Sequence, residues 1–531
     1  LSGSMSEHVY DLTLMNPIYE KGSKDFAHTG RLVPIYSVIS GITTRQLRTW
    51  IAHAINNCLD QIVDVMPKHI VEAEGLVSLS EALKNIHFPD SADAASAARK
   101  RLVFDEVFFL HAENRMLRKN HEQLRAPVIQ SHEKETRECV ERLPFALTQD
   151  QKEALGQILK DLSRQVPMNR LLEGDVGSGK TVVAAIASLN AVLSGCQVAY
   201  MAPTEVLARQ VYENMVAFFK GDISVGLLTA SQRQYQELGI RNQELGQKRG
   251  AEKSKETFSR GELLKFISNG ELTIIIGTHA LLEEKVIFKN LGLVIVDEQH
   301  RFGVRQRQML REKNESGTFP HLLTMTATPI PRSLALSIYG DLDVSLLKNR
   351  PEGRLPIVTK VVPEEYRTWT YDFIRRQVKA GRQAFIICPL IDPSDSLQAR
   401  AVKNEHGRLS KKIFPDLSVG MLHGKMKPKE KEDTLADVAA GKIEVLVSTS
   451  VIEVGIDIPN ATVILIEGAE RFGLAQLHQF RGRVGRSKHQ SYCFLAPSSS
   501  ENQEIKRLTA LVQTTDGFEL AEKDLELRGS G

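Results

Sequence analysis

The run Leu171–Thr181, LLEGDVGSGKT, constrains this chain more than any other. It carries the spacing G-x-x-x-x-G-K-T in Gly174, Gly179, Lys180 and Thr181, with Gly177 inside the loop. A short apolar run precedes it, as a strand would, and VVAAIASLNAVL follows it as a helix that stops at Gly195. Strand, glycine loop and helix together make a phosphate site. The glycines let backbone N–H groups close on phosphate oxygens, and the helix N-terminus adds the positive end of its dipole. Lys180 can reach the β- and γ-phosphates, and the Thr181 hydroxyl can ligate Mg²⁺. A glycine turn before an ordinary buried helix would look the same in isolation, so the rest of the chain has to decide.

Around this loop the chain alternates strands and helices from about residue 140, which implies parallel sheets covered on both faces. QVAYMAP, LTIIIGTH, LGLVIVDEQH and HLLTMTAT are apolar runs that each end in polar residues. Open α/β sheets place their sites at that carboxyl edge. A second alternating block holds AFIICPL, LSVGMLHG, EVLVST, TVILIEGAE and SYCFLAP, but no second phosphate loop. Two similar sheets with one loop imply one nucleotide held in the cleft between two lobes. The proline- and glycine-rich segment Asn349–Pro356 is the expected interlobe linker, and a cleft hinged only there is expected to stand open without ligands. A polar insert near 231–260 has no apolar face and reads as a solvated loop.

At 531 residues the chain exceeds one ordinary core, so about two to four domains are expected. The expected boundaries are 1–35, 36–139, 140–348, 349–356, 357–497 and 498–531. LSGS before Met5 reads as an expression scar, and VYDLTLMNP as a single strand with no partner nearby. Three helices are expected in 36–139. One has Leu47, Ile51, Ala54, Ile55 and Leu59 on one face, with Thr43 or Thr44 as its cap. Another lies within LVSLSEALKNIH. A long one, SAARKRLVFDEVFFLHAENRMLRKN, has Leu102, Val103, Val107, Leu110 and Leu117 along one side. This region reads as a packed helical spacer without chemistry of its own. Five scattered cysteines without a C-x-x-C pair argue against a zinc ribbon or a disulfide framework and fit a reducing cytoplasm. No apolar run reaches transmembrane length, and a net charge of +3 neither demands nor excludes nucleic acid.

LVIVDEQH ends an apolar strand in two carboxylates. Asp297 suits a Mg²⁺ ligand and Glu298 suits a group that orients an attacking water. In QFRGRVGR of the second block, Arg483 and Arg486 are three apart and separated by a glycine. They could cross the cleft and stabilise charge that develops on the γ-phosphate; Arg481 is a third candidate.

Taken together these residues resemble a superfamily 2 helicase or translocase of the DExH type. PFALTQDQ, with Phe145 and Gln151, is similar to the adenine-reading segment, GDVGSGKT to motif I, PTEVLA to motif Ia and GTHAL to motif Ib. DEQH is similar to motif II, TATPIPR to motif III, STSVIEVGIDIPNAT to motif V and QLHQFRGRVGR to motif VI. DEQHRFGV, MTATPIPR, ERFGLAQLHQFRGRVGR and DGFELAEKDLELRG narrow the likeness to the RecG family of branched-DNA translocases.

The resemblance implies two RecA-like lobes, the P-loop NTPase helicase core, preceded by a helical linker and a remnant of an OB-fold wedge domain. The chain then reads as truncated at both ends, with 498–531 as the start of a translocation-coupling segment. It implies ATP and Mg²⁺ as cofactors, Gln479 beside the catalytic groups, and Gly455 and Asp457 as further nucleotide contacts. Thr204, Glu205, Thr278, His279, Arg332, His423 and Thr449 are implied as DNA contacts, and of these Thr204, Thr278, His279, Arg332 and His423 are expected to touch phosphate and sugar rather than base edges. His300, Thr326 and Thr328 are implied to couple the two. Its partners would be branched and double-stranded DNA, at stalled forks and Holliday junctions, without a membrane. A single-strand-binding protein is the recruiter in this picture, and the absence of a heptad seam suggests a monomer. Two alternatives stay open at this point: a transcription-repair coupling translocase of the Mfd kind, whose family tends to DEEH where this chain has DEQH, and a protein-translocating motor of the SecA kind.

Overall fold

The computed structural model describes residues 2–8, 11–18, 32–37, 39, 41–220, 223–230, 233–236, 259–298, 309, 318–328, 340, 342–349, 355–389, 395–450, 458–498 and 502–528. His300, Arg332, Gly455 and Asp457 lie outside these residues, as do most of the polar insert and 350–354 of the linker. The chain divides into two compact units, 1–116 and 117–531.

In the first unit, β1 (Ser2–His8) pairs antiparallel with β2 (Asp11–Ile18), and His8 lies opposite Asp11. This corrects the expectation of a lone strand. The partner is the segment immediately upstream, and it includes Ser2–Ser4, which the sequence reading had set aside as a scar. Helix α1 (Thr44–Cys58) starts at Thr43, whose side chain accepts from the Gln46 backbone N–H while Gln46 reaches back to the Thr43 N–H. That reciprocal pair satisfies two donors that a helix start leaves open. Helices α2 (Lys68–Ala73) and α3 (Leu79–His87) follow, the first unexpected from sequence. Helix α4 (Ala92–Glu122) is the long one.

Its apolar side is not what it buries. Val103, Val107, Leu110 and Leu117 are exposed, whereas Ala98, Arg101 and Asn114 are buried. Arg101 decides the orientation. Its guanidinium donates to both Asp64 oxygens at 2.7 and 2.8 Å, to Asp105 Oδ1 at 2.9 Å and to the Val77 carbonyl at 2.8 Å. A buried cation with this many donors needs a full set of acceptors, and the segments at 64 and 77 supply them.

The second unit opens with α5 (Glu133–Glu141), also unexpected, and α6 (Gln149–Leu162). Strands β3 (Asn169–Gly174), β4 (Gln197–Met201), β5 (Val225–Leu228), β6 (Arg233–Gln236), β7 (Ile274–Gly277), β8 (Leu291–Val296), β9 (His321–Thr326) and β10 (Asp343–Leu347) form one sheet in the order β10-β3-β9-β8-β4-β7-β5-β6. Every pairing is parallel except β5 with β6. Strands β4, β7, β8 and β9 are buried at every position. Continuous apolar runs do this when helices cover both faces. Helix α7 (Lys180–Leu193) is buried from Val183 to Ala191, and α8 (Glu205–Phe219) and α9 (Arg260–Ser268) complete the layers.

The second lobe repeats the scheme with β11 (Val358–Val361), β12 (Gln383–Ile387), β13 (Val419–Leu422), β14 (Val445–Ser448), β15 (Ala461–Glu467) and β16 (Tyr492–Ala496), all parallel, in the order β11-β16-β15-β12-β14-β13. Helices α10 (Arg367–Lys379), α11 (Asp395–Arg408), α12 (Pro428–Ala439) and α13 (Leu474–Arg481) surround it. After β16 come α14 (Asn502–Gln513) and α15 (Gly517–Arg528). Arg481, fully buried, ties them to α13 by donating to the carbonyls of Leu511 at 2.8 Å and Thr514 at 2.9 Å.

The cleft is closed, which corrects the expectation of an open one. Gly482 of the second lobe packs on Val176 of the phosphate loop, His478 hydrogen-bonds Asp175, and Gln479 donates to Thr328 Oγ1 at 2.5 Å. The linker is therefore not the sole constraint. Its root is held as well, because Asp150 accepts from the backbone N–H groups of Lys348 at 2.8 Å and Asn349 at 2.7 Å.

His321 opens β9 and is fully buried. Its Nδ1 accepts from the Met168 N–H at 2.9 Å, which leaves Nε2 as the donor to the Pro127 carbonyl at 2.8 Å. Burial pushes this imidazole down to about 4. The folded ring stays neutral while the unfolded ring takes up a proton near pH 6.5, so this contribution is complete above pH 6.5 and is lost as pH falls toward 4. Wild-type stability should drop by on the order of 3 kcal/mol across that window from this group. In His321→Asn the acid-side slope should shrink by that amount in urea titrations at pH 7 and pH 4.5.

Candidate active site

The phosphate loop takes its shape from two glycines. Gly177 and Gly179 have φ of 78° and 86°, the left-handed region that other residues enter only at a cost. Gly174, the last residue of β3, answers a packing need: a Cβ there would stand 2.6 Å from Ser178 Oγ and 2.8 Å from Leu347 Cβ. Gly179 caps α7, so Lys180 and Thr181 begin the helix with their N–H groups at its open end. Lys180 Nζ donates to the carbonyls of Gly174 at 2.6 Å and Asp175 at 3.0 Å. Burial pushes this ammonium below its ordinary value, and Glu298, Asp297 and Asp175 oppose the shift.

Strand β8 ends directly opposite. Asp297 continues the ladder through its N–H to the Met201 carbonyl at 2.9 Å. Its Oδ1 accepts from the Glu298 N–H at 3.0 Å and its Oδ2 from the Tyr200 hydroxyl at 3.2 Å. Burial, then the charge of Glu298, pushes the Asp297 carboxyl up to about 6, with Lys180 pulling the other way. Glu298 itself has φ of 54°, one of two non-glycine residues with positive φ among the described residues. Strain of this kind collects at sites where the side chain's direction matters more than the backbone's comfort.

A cavity of about 520 Å³ gathers these groups. Phe145, Gln151, Gly177, Gly179, Lys180, Thr181, Asp297 and Glu298 line it from the first lobe, and Arg483 and Arg486 line it from the second. Phe145 is exposed, whereas Gln151 is buried, accepts from the Thr148 N–H and donates to the Ser178 carbonyl at 2.8 Å. Gln151 therefore braces the loop as well as facing the cavity. The donor set fits a magnesium nucleotide. Two oxygen groups, the Thr181 hydroxyl and the Asp297 carboxylate, lie on the wall that also carries Lys180 and the helix start.

Two placements differ from the sequence reading. Gln479, expected among the catalytic groups, is absent from the cavity wall. It sits within α13, about one turn before the arginines, and its amide reaches Thr328. Thr328 in turn donates its N–H to Thr326 Oγ1 at 3.1 Å, so Gln479 joins the lobes through the end of β9. Gly174 stands behind the loop and contributes its carbonyl.

The expected DNA contacts among the described residues follow strand ends. Thr204 caps α8 through the Leu207 N–H, and Glu205 accepts from the Ala230 N–H at 3.1 Å. Thr278 is buried and His279 exposed, both just beyond β7. His423 and Thr449, beyond β13 and β14, are largely buried, and burial pushes the His423 imidazole down.

Residues 148–336 match the DEAD/DEAH box helicase family and residues 367–488 the helicase conserved C-terminal domain. The ATP-dependent DNA helicase RecG of Synechocystis sp. is 44% identical over all of this chain and 61% of its own length. The ATP-dependent DNA helicase RecG of Bacillus subtilis is 42% identical, covering 94% of this chain and 70% of its own length. The chain belongs to the RecG family. A RecG structure bound to a three-way DNA junction superposes with a TM-score of 0.78 at 37% identity, over all of this chain and 67% of that one. A helicase named MrfA, at 16% identity and a TM-score of 0.53, shares the fold. The chain spans about 61 to 63% of the length of the Synechocystis, Aquifex aeolicus and Thermotoga maritima RecG proteins that it matches.

Sequence reasoning passed over three residues of this family member's site. Asp175 and His478 were not singled out, because their hydrogen bond spans the two lobes and nothing local announces it. Tyr200 sits in an apolar strand, and its one signal was a hydroxyl among residues that have none.

Gly482 gives a direct test of the closed cleft. Its φ of −67° suits any residue, so alanine costs no backbone strain there. A Cβ would nonetheless stand 2.9 Å from Val176 Cβ. Overpacking of this sort costs about 1–3 kcal/mol. Gly482→Ala should raise the radius of gyration in solution scattering and weaken nucleotide binding about ten-fold, and Val176→Gly in the same chain, which removes the Cβ that is met, should restore both.

Proposed function

We propose that this chain binds ATP with Mg²⁺ in the cavity between its lobes, hydrolyses it, and uses the cycle to move on double-stranded DNA at branched structures such as stalled forks and Holliday junctions. The observation that carries the reading is that Arg483 and Arg486 line the same cavity as Lys180, Thr181, Asp297 and Glu298. Each lobe alone has half of what phosphoryl transfer needs. One has the loop and the carboxylates; the other has the cations that stabilise charge as it develops. The names of the relatives, ATP-dependent DNA helicase RecG, and the likeness to a RecG bound to a three-way junction support the DNA part.

Each residue then has a role that its chemistry permits. Lys180 leaves the loop carbonyls for the β- and γ-phosphates. Thr181 and Asp297 would hold the metal, which would neutralise phosphate charge. Glu298 orients the attacking water, and Phe145 and Gln151 face the base. Thr204, Thr278, His279 and His423 guide the DNA by its backbone, with Glu205 and Thr449 beside that path, and Thr326, Thr328 and Gln479 transmit closure between the lobes. On the same reading the chain acts as a cytoplasmic monomer, with a single-strand-binding protein as its recruiter. Among the described residues no helix is long and apolar enough to cross a membrane.

The test is phosphate release measured against single-stranded, duplex, forked and four-way DNA. Branched and duplex DNA should stimulate most, with affinity that falls as salt rises. Lys180→Ala should abolish turnover and weaken ATP binding, whereas Glu298→Gln should bind ATP and not turn it over. Arg483→Ala and Arg486→Ala should each lower the rate by ~10³–10⁵ with nucleotide affinity retained. Stimulation by unfolded polypeptide instead of DNA, or near-normal turnover by Glu298→Gln, would sink the reading.

A further inference from the structure

Strand β4 lies beside β8, with Tyr200 in register with Ile295, two residues before Asp297. Its neighbours Val198, Ala199 and Met201 are apolar and buried. Tyr200 is fully buried too, in a parallel strand of a kind ordinarily rich in Val, Ile and Leu. A phenol in that position needs a partner, because an unsatisfied buried hydroxyl is costly. The partner is specific. The hydroxyl donates to Asp297 Oδ2 at 3.2 Å. Asp297 lines the cavity from the end of β8, and Thr181 lines it from the start of α7.

We propose that Tyr200 is a positioning residue for the divalent cation that accompanies the nucleotide, holding the Asp297 carboxylate in one fixed orientation at the cavity wall. This rests on the reading of the cavity as a magnesium–nucleotide site. A carboxylate turns easily about its last torsion unless donors hold it. Here Oδ1 takes the Glu298 N–H and Oδ2 takes the Tyr200 hydroxyl, so any rotation breaks a hydrogen bond on each side. Each oxygen keeps a further lone pair for a metal. Removing outer partners of metal-ligating groups typically weakens metal binding 10–100-fold. The competing account is that the ring only fills space and its hydroxyl is merely satisfied. The two separate cleanly, because phenylalanine keeps the ring and removes the oxygen.

The experiment measures Mn²⁺ binding by electron paramagnetic resonance in the full 531-residue chain, in the presence of a non-hydrolysable ATP analogue, for wild type, Tyr200→Phe and Tyr200→Leu. Tyr200→Phe should bind Mn²⁺ about ten-fold more weakly. Its affinity for the analogue in EDTA and its melting temperature should match wild type, and its ATPase rate should recover at high Mg²⁺. Tyr200→Leu should show the same loss of Mn²⁺. Unchanged Mn²⁺ affinity in Tyr200→Phe, or a loss confined to Tyr200→Leu, would assign the residue to packing and overturn the proposal. A wild-type chain that binds the analogue but no Mn²⁺ would instead remove the magnesium–nucleotide reading beneath it.

Discussion

The folded-back ammonium of Lys180 is the interaction on which the rest of this molecule depends. A cation that leaves water must be met by carbonyls or carboxylates, and here both are supplied by strand ends. Gly174 and Asp175 close beneath it from β3. Asp297 and Glu298 lie within electrostatic reach at the end of β8. Strand β9 stands between these two in the sheet, so the parallel order of three strands sets the distance between ammonium and carboxylates. The left-handed glycines, the buried helix behind the loop and the crossed connections around it can all be read as consequences of keeping that charge cluster in place.

The second lobe is attached to the same spot. Asp175, whose carbonyl holds Lys180, is also the residue that His478 reaches, and His478 accepts from Arg481 at its other nitrogen at 2.7 Å. Arg481 then grips the carbonyls at the end of α14. A continuous run of polar contacts thus leads from the phosphate loop to the end of α14.

What could be read from the sequence was whatever is local. The loop at Gly174–Thr181, the strand ending in Asp297 and Glu298, the arginines at 483 and 486, the two parallel blocks and the cap at Thr43 all follow from spacing within a few residues. What could not be read depends on packing across the chain. The long helix α4 shows its apolar side to solvent because Arg101, a residue that periodicity scores as polar, is the one it buries. Gln479 was implied by the family resemblance to stand with the catalytic groups, yet its helix ends before Arg483 and its amide goes to Thr328. The strand β2 seemed partnerless only because its partner had been set aside. The closed cleft was invisible for the same reason as the Asp175–His478 contact, since its two sides are some three hundred residues apart in sequence.

The left-handed backbone at Glu298 has a consequence for how this protein could change over generations. An ordinary side chain held there costs about 1–2 kcal/mol relative to glycine, so the position pulls against itself: backbone comfort favours glycine or asparagine, while the role proposed for Glu298 asks for a long carboxylate. A population of variants selected only for resistance to heat would drift away from glutamate at this position. On the proposed role, glutamate persists there only under selection that reads turnover.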